Sequence, residues 1–352
     1  MGAGLVCHTL NPRLTRAHLA AMIDEAEDRV LAVASDLAAL AAELAPMCPT
    51  LEHIVVMDGP PAPANALARV LAEVWTHDAL IATRGAPMMW GQFDENTDAG
   101  LCYTSGTTGK PKGVVYTHRS NYLHTLRALQ ADATAFVRAD AILVAVPMFH
   151  ANGWGIPFAG PAVGAKLVLP GRDATGAALA KLMRDERVTV AAGVQTVWLG
   201  VLDHLDEVGG ELPDLKRILI GGSKCPDALL ERMEKRFDAF VQTSWGMTEL
   251  SPLGSIAPID DTPPTARASG KLPLGLDFKL TNAEGETLPE QRNVVGHLKV
   301  KGASVVARYF KADEDALDAE GFFDTGDLAS IDAEGNLSIC GRSKDLIKSG
   351  GE

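Results

Sequence analysis

Short apolar runs alternate with amphipathic segments over the first 259 residues of the chain. The apolar runs predict strands at residues 29–33, 53–57, 141–146, 166–169, 188–191, 217–220 and 239–243, after a first strand-like stretch within residues 1–12. Segments with helical spacing predict helices over residues 15–25, from 36 onward, and over 118–135, 177–185 and 195–205. Strands that alternate with helices predict an α/β fold of layered parallel sheets.

From residue 260 the pattern changes to a proline-rich loop and short apolar stretches. The stretches at residues 275–280, 296–301 and 328–331 are separated by turns such as NAEG and DAEG. This arrangement predicts a small β-barrel-like subdomain. We therefore divide the chain into α/β sheet subdomains over residues 1–259 and a β-rich subdomain over residues 260–341.

Composition and charge narrow the class of protein. The chain has 352 residues, of which 47% are hydrophobic, and a formal net charge of −13. The negative charge argues against nucleic acid or an anionic membrane as a partner. No apolar run of about eighteen residues predicts a membrane span, and the N-terminus lacks the basic segment of a signal peptide. The five scattered cysteines form no CxxC pair and favour free thiols in a cytoplasmic protein.

Residues 103–113 read YTSGTTGKPKG and are typical of a phosphate-binding loop. Glycines let backbone amides turn toward an anion, and hydroxyl and lysine side chains add donors and charge. The Walker A pattern does not fit, because Pro111 stands where that motif has Ser or Thr. The alternative is a solvated linker. The phosphate-binding candidates are Thr104, Ser105, Gly106, Thr107, Thr108, Gly109 and Lys110.

These motifs together resemble the adenylate-forming superfamily, which includes acyl-CoA synthetases. The loop matches its [YF]TSGTTGxPKG signature, and PMFHANGW, GGS, SWGMTELSP, EGFFDTGDLASID and GRSKDLIKSGGE follow in the family's order. The resemblance implies an enzyme that uses ATP and Mg²⁺ to convert a carboxylic acid to an acyl-adenylate. Coenzyme A then displaces AMP to give the acyl-CoA.

The resemblance also implies roles for individual residues. Thr104 and Glu249 would hold the metal, and Lys110, His150 and Thr248 would complete the catalytic set. Asp327 would bind the ribose hydroxyls. The remaining nucleotide-binding candidates are Gly221, Gly222, Ser223, Trp245, Gly246, Met247 and Arg342.

The same comparison places the acyl pocket and a hinge. Trp154 would gate the pocket, although His150 and Trp154 could instead be core residues. Val194 and Trp198 are equally well read as pocket lining or as plain core. Gly221, Trp245, Gly246 and Met247 would also contact the acid. Lys344 and Asp345 would form the hinge to a further domain, which begins within residues 342–352.

Finer expectations concern the subfamily and the extent of the chain. The stretch from LVCHTLNPRLT onward resembles medium-chain and methylmercaptopropionate-CoA ligases, which predicts a short- or medium-chain acid. Relatives are commonly homodimers. We expect the chain to lack the first part of the large domain and the small domain that carries the family's catalytic lysine. The alternative is a naturally truncated protein that binds ATP or an adenylate without catalysis.

Overall fold

A computed structural model describes residues 1–59, 73–104, 111–259 and 269–345. The chain divides into two compact units, residues 1–93 and 94–352. Within the described residues, no helix is both long enough and apolar enough to cross a membrane. The phosphate-loop candidates from Ser105 to Lys110 lie outside the described residues.

The first unit is a small α/β layer. The short strand β1 (Cys7–His8) precedes helix α1 (Arg16–Ala26), whose N-terminus is capped by the Thr15 hydroxyl. Three parallel strands then pair in the order β2-β3-β4, and helices α2 and α3 complete the unit. Their bounds are β2 (Val30–Val33), α2 (Ala38–Leu44), β3 (His53–Val56), β4 (Glu73–Thr76) and α3 (His77–Arg84).

The second unit begins with an antiparallel hairpin of β5 (Asp98–Tyr103) and β6 (Gly113–Thr117). The loop with the phosphate signature connects these two strands, and the Thr104 N–H donates to the Lys112 carbonyl at 2.9 Å. Helix α4 (His118–Ala128) follows, shorter than predicted. It ends early because the backbone and hydroxyl of Thr134 both donate to the Ala128 carbonyl and turn the chain back.

A six-stranded sheet dominates the second unit, with strand order β12-β11-β10-β9-β7-β8. Five of its strands run parallel, and β12 pairs antiparallel with β11. The predicted parallel α/β architecture is thus confirmed. Its strands and helices are β7 (Ala141–Val144), α5 (Ala151–Trp154), α6 (Ile156–Ala162), β8 (Lys166–Val168), α7 (Gly176–Asp185), β9 (Val190–Gly193), α8 (Gln195–Val208), β10 (Arg217–Ile220), α9 (Asp227–Phe237), β11 (Phe240–Gly246) and β12 (Leu253–Ile256).

The two faces of this sheet have different partners. Alternate strand residues such as Leu143, Ile218 and Ile220 point into a core with α7, α8 and α9, which we call the closed face. Their neighbours Ile142 and Leu219 belong to a second core with α4 and α6, which we call the cavity face. Strands buried on both sides read as continuous apolar runs, as these do.

The β-rich region forms a four-stranded antiparallel sheet in sequential order. The second and third strands are longer than the apolar stretches suggest, the first is shorter, and the last one was not predicted. A core of Leu280, Leu298, Val300 and Ala329 lies on one side of it. The strands are β13 (Asp277–Thr281), β14 (Val295–Lys301), β15 (Phe323–Ile331) and β16 (Leu337–Arg342).

Candidate functional site

A cavity of about 470 Å³ opens on the cavity face of the six-stranded sheet. Its lining is mainly apolar, which suits the hydrocarbon part of a ligand. The carboxyl ends of β9, β10 and β11 supply polar neighbours at one edge of the sheet, where ligands of open α/β sheets bind. Ten of the residues predicted for the site line this cavity: His150, Trp154, Val194, Gly221, Gly222, Ser223, Trp245, Gly246, Met247 and Thr248.

Trp154 is placed by a left-handed turn. The backbone has positive φ at every residue from Ala151 to Gly155, a conformation that costs a non-glycine residue roughly 1–2 kcal/mol. The indole lies against the glycines after β10, since a Cβ on Gly221 would be 3.4 Å from Trp154 Cη2. In this structure the flat indole ring of Trp154 packs against the paired glycines.

Thr248, Glu249 and Leu250 form a single 3₁₀ turn, which we call the Thr-Glu turn, one residue after the end of β11. Glu249 is 7% exposed, and its Oε1 accepts a hydrogen bond from Tyr309 Oη at 2.8 Å. Burial, together with Glu249, raises the pKa of Tyr309, so the phenol keeps its proton and remains a donor. No lysine or arginine of the described residues forms an ion pair with Glu249.

Asp327 joins the six-stranded sheet and the four-stranded sheet of the second unit. Its Oδ2 accepts from the Trp245 indole N–H at 3.0 Å, and its Oδ1 pairs with Arg342 Nε at 3.0 Å. Burial raises the pKa of Asp327, and the charge of Arg342 and the indole hydrogen bond oppose that effect. The structure thus brings together three predicted nucleotide-binding residues that are far apart in the sequence.

Two histidines line the cavity. His150 is exposed to solvent, and partial desolvation of its ring lowers its pKa. His124, which the sequence analysis did not select, is 1% exposed, and burial holds its pKa well below 6.5. Its Nε2 accepts from the Leu253 N–H at 3.2 Å, so the neutral ring carries its proton on Nδ1.

Several predicted residues lie outside the cavity lining. Trp198 is fully buried in the closed-face core, where its indole N–H donates to the Gly193 carbonyl at 3.2 Å. The sequence left open whether Val194 and Trp198 line the pocket or lie in the core. In the structure Trp198 lies in the core and Val194 lines the cavity. Thr104 follows β5 directly, and Lys344 lies in the 3₁₀ turn Ser343–Asp345 after β16.

Sequence reasoning missed Arg127 and Tyr309 as well as His124. Arg127 and Tyr309 contact the Thr-Glu turn from 123 and 60 residues away, a separation that no local motif reveals. His124 stands in the sequence NYLH on an amphipathic helix, four residues before the buried Ala128. That helical spacing is the only feature of the sequence that could have indicated a buried position for His124.

Comparison with known proteins agrees with this geometry. A family model described as AMP-binding enzyme matches residues 1–310. The chain belongs to this family. It is 40% identical over 360 residues to a medium-chain-fatty-acid–CoA ligase of Ectopseudomonas oleovorans. It is 39% identical over 360 residues to a 3-methylmercaptopropionyl-CoA ligase of Ruegeria lacuscaerulensis.

Both alignments include 100% of this chain, and the chain spans 65% and 66% of the length of these two members of the AMP-binding family. The likeness to these two subfamilies expected from the motifs is confirmed. A crystal structure of an anthranilate CoA ligase in complex with anthranoyl-AMP superposes with a TM-score of 0.86. That match has 22% sequence identity and covers 99% of this chain and 65% of the other, and it supports the fold.

Proposed function

We propose that this protein is an AMP-forming acyl-CoA ligase. It would activate a carboxylic acid with ATP as an acyl-adenylate and transfer the acyl group to coenzyme A. The observation that carries the proposal is the apolar cavity, because it ends at the residues predicted to bind the nucleotide phosphates and adenine. Family membership and the two ligase relatives support the same reaction.

The site is suited to the nucleotide. Asp327 would accept the ribose hydroxyls, with Trp245 and Arg342 holding its two oxygens in place. Gly221, Gly222 and Ser223 would contact the adenine, and Thr248 would donate its hydroxyl to the α-phosphate. Ser105 to Lys110, with Thr104, would enclose the other phosphates.

The Glu249 carboxylate fits a magnesium ion. It is buried and has no cationic partner among the residues that the structure describes, and burial of an ionised carboxylate is costly unless a counter-ion and hydrogen bonds compensate it. Mg²⁺ prefers one or two carboxylates and shares its other positions with phosphate oxygens and water. With Thr104 as a second ligand, the ion would neutralise charge at the reacting phosphate.

The acid is proposed to be short or medium in chain length, with 3-methylmercaptopropionate as one candidate. Ala128, Phe136, Ile156 and Ala159 line the cavity and leave room for an aliphatic or thioether chain.

All five cysteines have free thiols, which supports the cytoplasmic location predicted from the sequence. The homodimer remains a prediction, to be checked by sedimentation of the purified protein.

The test is acid-dependent exchange of labelled pyrophosphate into ATP by the full chain. Acids from butanoate to hexadecanoate, and 3-methylmercaptopropionate, are compared. We expect exchange with a maximum at short or medium chain length. Glu249→Gln should lower the exchange rate by roughly 100-fold, because removal of one group that stabilises transition-state charge typically costs this much.

Glu211→Gln, which changes an exposed carboxylate in the loop after α8, is the matched control and should leave exchange unchanged. Highest exchange with hexadecanoate would contradict the chain-length proposal. Binding of ATP without any acid-dependent exchange would contradict the ligase and support the non-catalytic nucleotide-binding protein.

A further inference from the structure

The turn that carries Thr248 and Glu249 is held by donors from three other parts of the second unit. The Thr248 carbonyl accepts from Tyr116 Oη of β6 at 2.9 Å. The Glu249 carbonyl accepts from the Val306 N–H at 2.8 Å, and the Leu250 carbonyl accepts from Arg127 Nη2 at 2.6 Å. Three consecutive carbonyls are therefore each fixed by a different segment.

Arg127 makes the most unusual of these contacts. It lies in the last turn of α4, is 3% exposed, and donates from Nη1 to Ser304 Oγ at 2.6 Å. The Ser304 carbonyl in turn accepts from Ser251 Oγ at 2.7 Å. The guanidinium thus bridges the end of the Thr-Glu turn and the loop after β14.

Stability alone does not account for an arginine at this position. No carboxylate among the described residues pairs with Arg127, its buried Nε has no hydrogen-bond partner there, and burial lowers its pKa to about 10. Replacement of buried charges by apolar side chains of similar volume is often neutral or stabilising. The planar fork of arginine, in contrast, can reach two acceptors at fixed and separate positions.

The contacts that hold this turn also orient the side chain of Glu249. Tyr309 Oη donates to Glu249 Oε1, and no described residue donates to Oε2. Tyr116 and Arg127 hold the carbonyls of Thr248 and Leu250 on either side of Glu249, which restricts rotation of the turn and leaves Oε2 for a further ligand.

We propose that Arg127 is a positioning residue for the metal-binding carboxylate of Glu249. By holding the Leu250 carbonyl and Ser304 together, it keeps the turn in the orientation in which Glu249 binds a divalent cation. The inference rests on the proposed function, since it concerns the magnesium ion of that site. Arg127 touches neither the substrate nor the metal.

The test is the Mg²⁺ dependence of Arg127→Lys in the full chain. A lysine keeps the charge but cannot donate to the Leu250 carbonyl and Ser304 Oγ in the same fixed geometry. We expect the half-saturating Mg²⁺ concentration for pyrophosphate exchange to rise about 10-fold, as is typical when a residue that supports a metal ligand is changed. KM for the acid should change less than about two-fold, because Arg127 does not line the cavity.

Arg236→Lys is the matched control, because Arg236 also donates to two separate acceptors, the backbone carbonyls of Leu205 and Gly210, but on the closed face. It should leave the Mg²⁺ dependence unchanged. Ser304→Ala removes only one acceptor and should give a smaller rise, which keeps the inference testable if Arg127→Lys folds poorly. Unchanged Mg²⁺ dependence in both variants, or an equal loss in every kinetic constant, would overturn the inference.

Calorimetric titration of ATP at several Mg²⁺ concentrations separates this inference from the proposed function. If the wild type shows no exchange but its ATP binding needs more Mg²⁺ after Arg127→Lys, the ligase proposal fails and the role of Arg127 stands. If the wild type exchanges normally and neither assay detects a change in the variants, only the role of Arg127 is contradicted.

Discussion

The closed face and the cavity face belong to the same six strands but are filled in different ways. On the closed face, α7, α8 and α9 contribute large side chains such as Trp198, Leu202 and Met233, each fully buried. On the cavity face, α4 and α6 contribute Ala128 and Ala159, and about 470 Å³ remains empty of protein atoms.

This difference separates two tasks within one sheet. Close packing of large apolar side chains stabilises the fold, because each buried side chain adds transfer and dispersion energy. The opposite face gives up part of that stabilisation and leaves space for a ligand. Substitutions of the same chemical kind on the two faces should therefore have different consequences.

The largest expected effect is on stability after a tryptophan is removed. Trp198→Ala should lower the unfolding free energy by about 3–5 kcal/mol, because it leaves a cavity in a packed core. Trp154→Ala should cost much less, because its indole already borders empty space. Urea denaturation followed by circular dichroism measures both, and equal losses would contradict the distinction between the faces.

A medium effect is expected when an alanine is enlarged. Ala180→Leu on the closed face should cost about 1–3 kcal/mol through overpacking, since Ala180 is 0% exposed in that core. Ala159→Leu should leave stability near the wild-type value and shift the preferred acid to a shorter chain. Thermal unfolding and the exchange assay together check this pair. A large loss of stability in Ala159→Leu would mean that the cavity is not available space.

The smallest effect concerns pH. The unfolded chain binds a proton at His124 below pH 6.5, whereas the folded protein, in which burial and Arg127 lower the pKa of His124, does not. The unfolding free energy should therefore fall as pH decreases through and below 6.5, with a contribution of at most about 1.4 kcal/mol per pH unit. His124→Gln should remove this contribution. Parallel stability curves for wild type and variant between pH 7.5 and pH 5 would exclude it.

The sequence predicted the parts of the site that lie in continuous motifs. The runs before Gly221 and before Trp245 end at the same edge of the sheet, so a correct strand prediction already places their residues together. The spacing of apolar residues could not show whether Val194 and Trp198 line the cavity or lie in the core. Parallel strands are apolar on both faces. In addition, α8 begins between these two residues, so one spacing rule does not apply to both.

The rest of the site depends on contacts between distant segments. Asp327 meets Trp245 across 82 residues, and Arg127 meets Leu250 across 123. Nothing in the spacing of these residues indicates the contact. The buried Arg127 in particular looks like one more solvated charge on an amphipathic helix, and only the tertiary packing distinguishes it.

The hydrogen bond between Trp245 and Asp327 gives the protein an optical property. The chain has five tryptophans, and two of them, Trp154 and Trp245, line the cavity. The Trp245 indole is fixed by a carboxylate at 3.0 Å and by edge contact with Phe278, at 6.0 Å between ring centroids. A molecule that enters the cavity alters the polarity around both indoles, so intrinsic fluorescence can follow its arrival without a label.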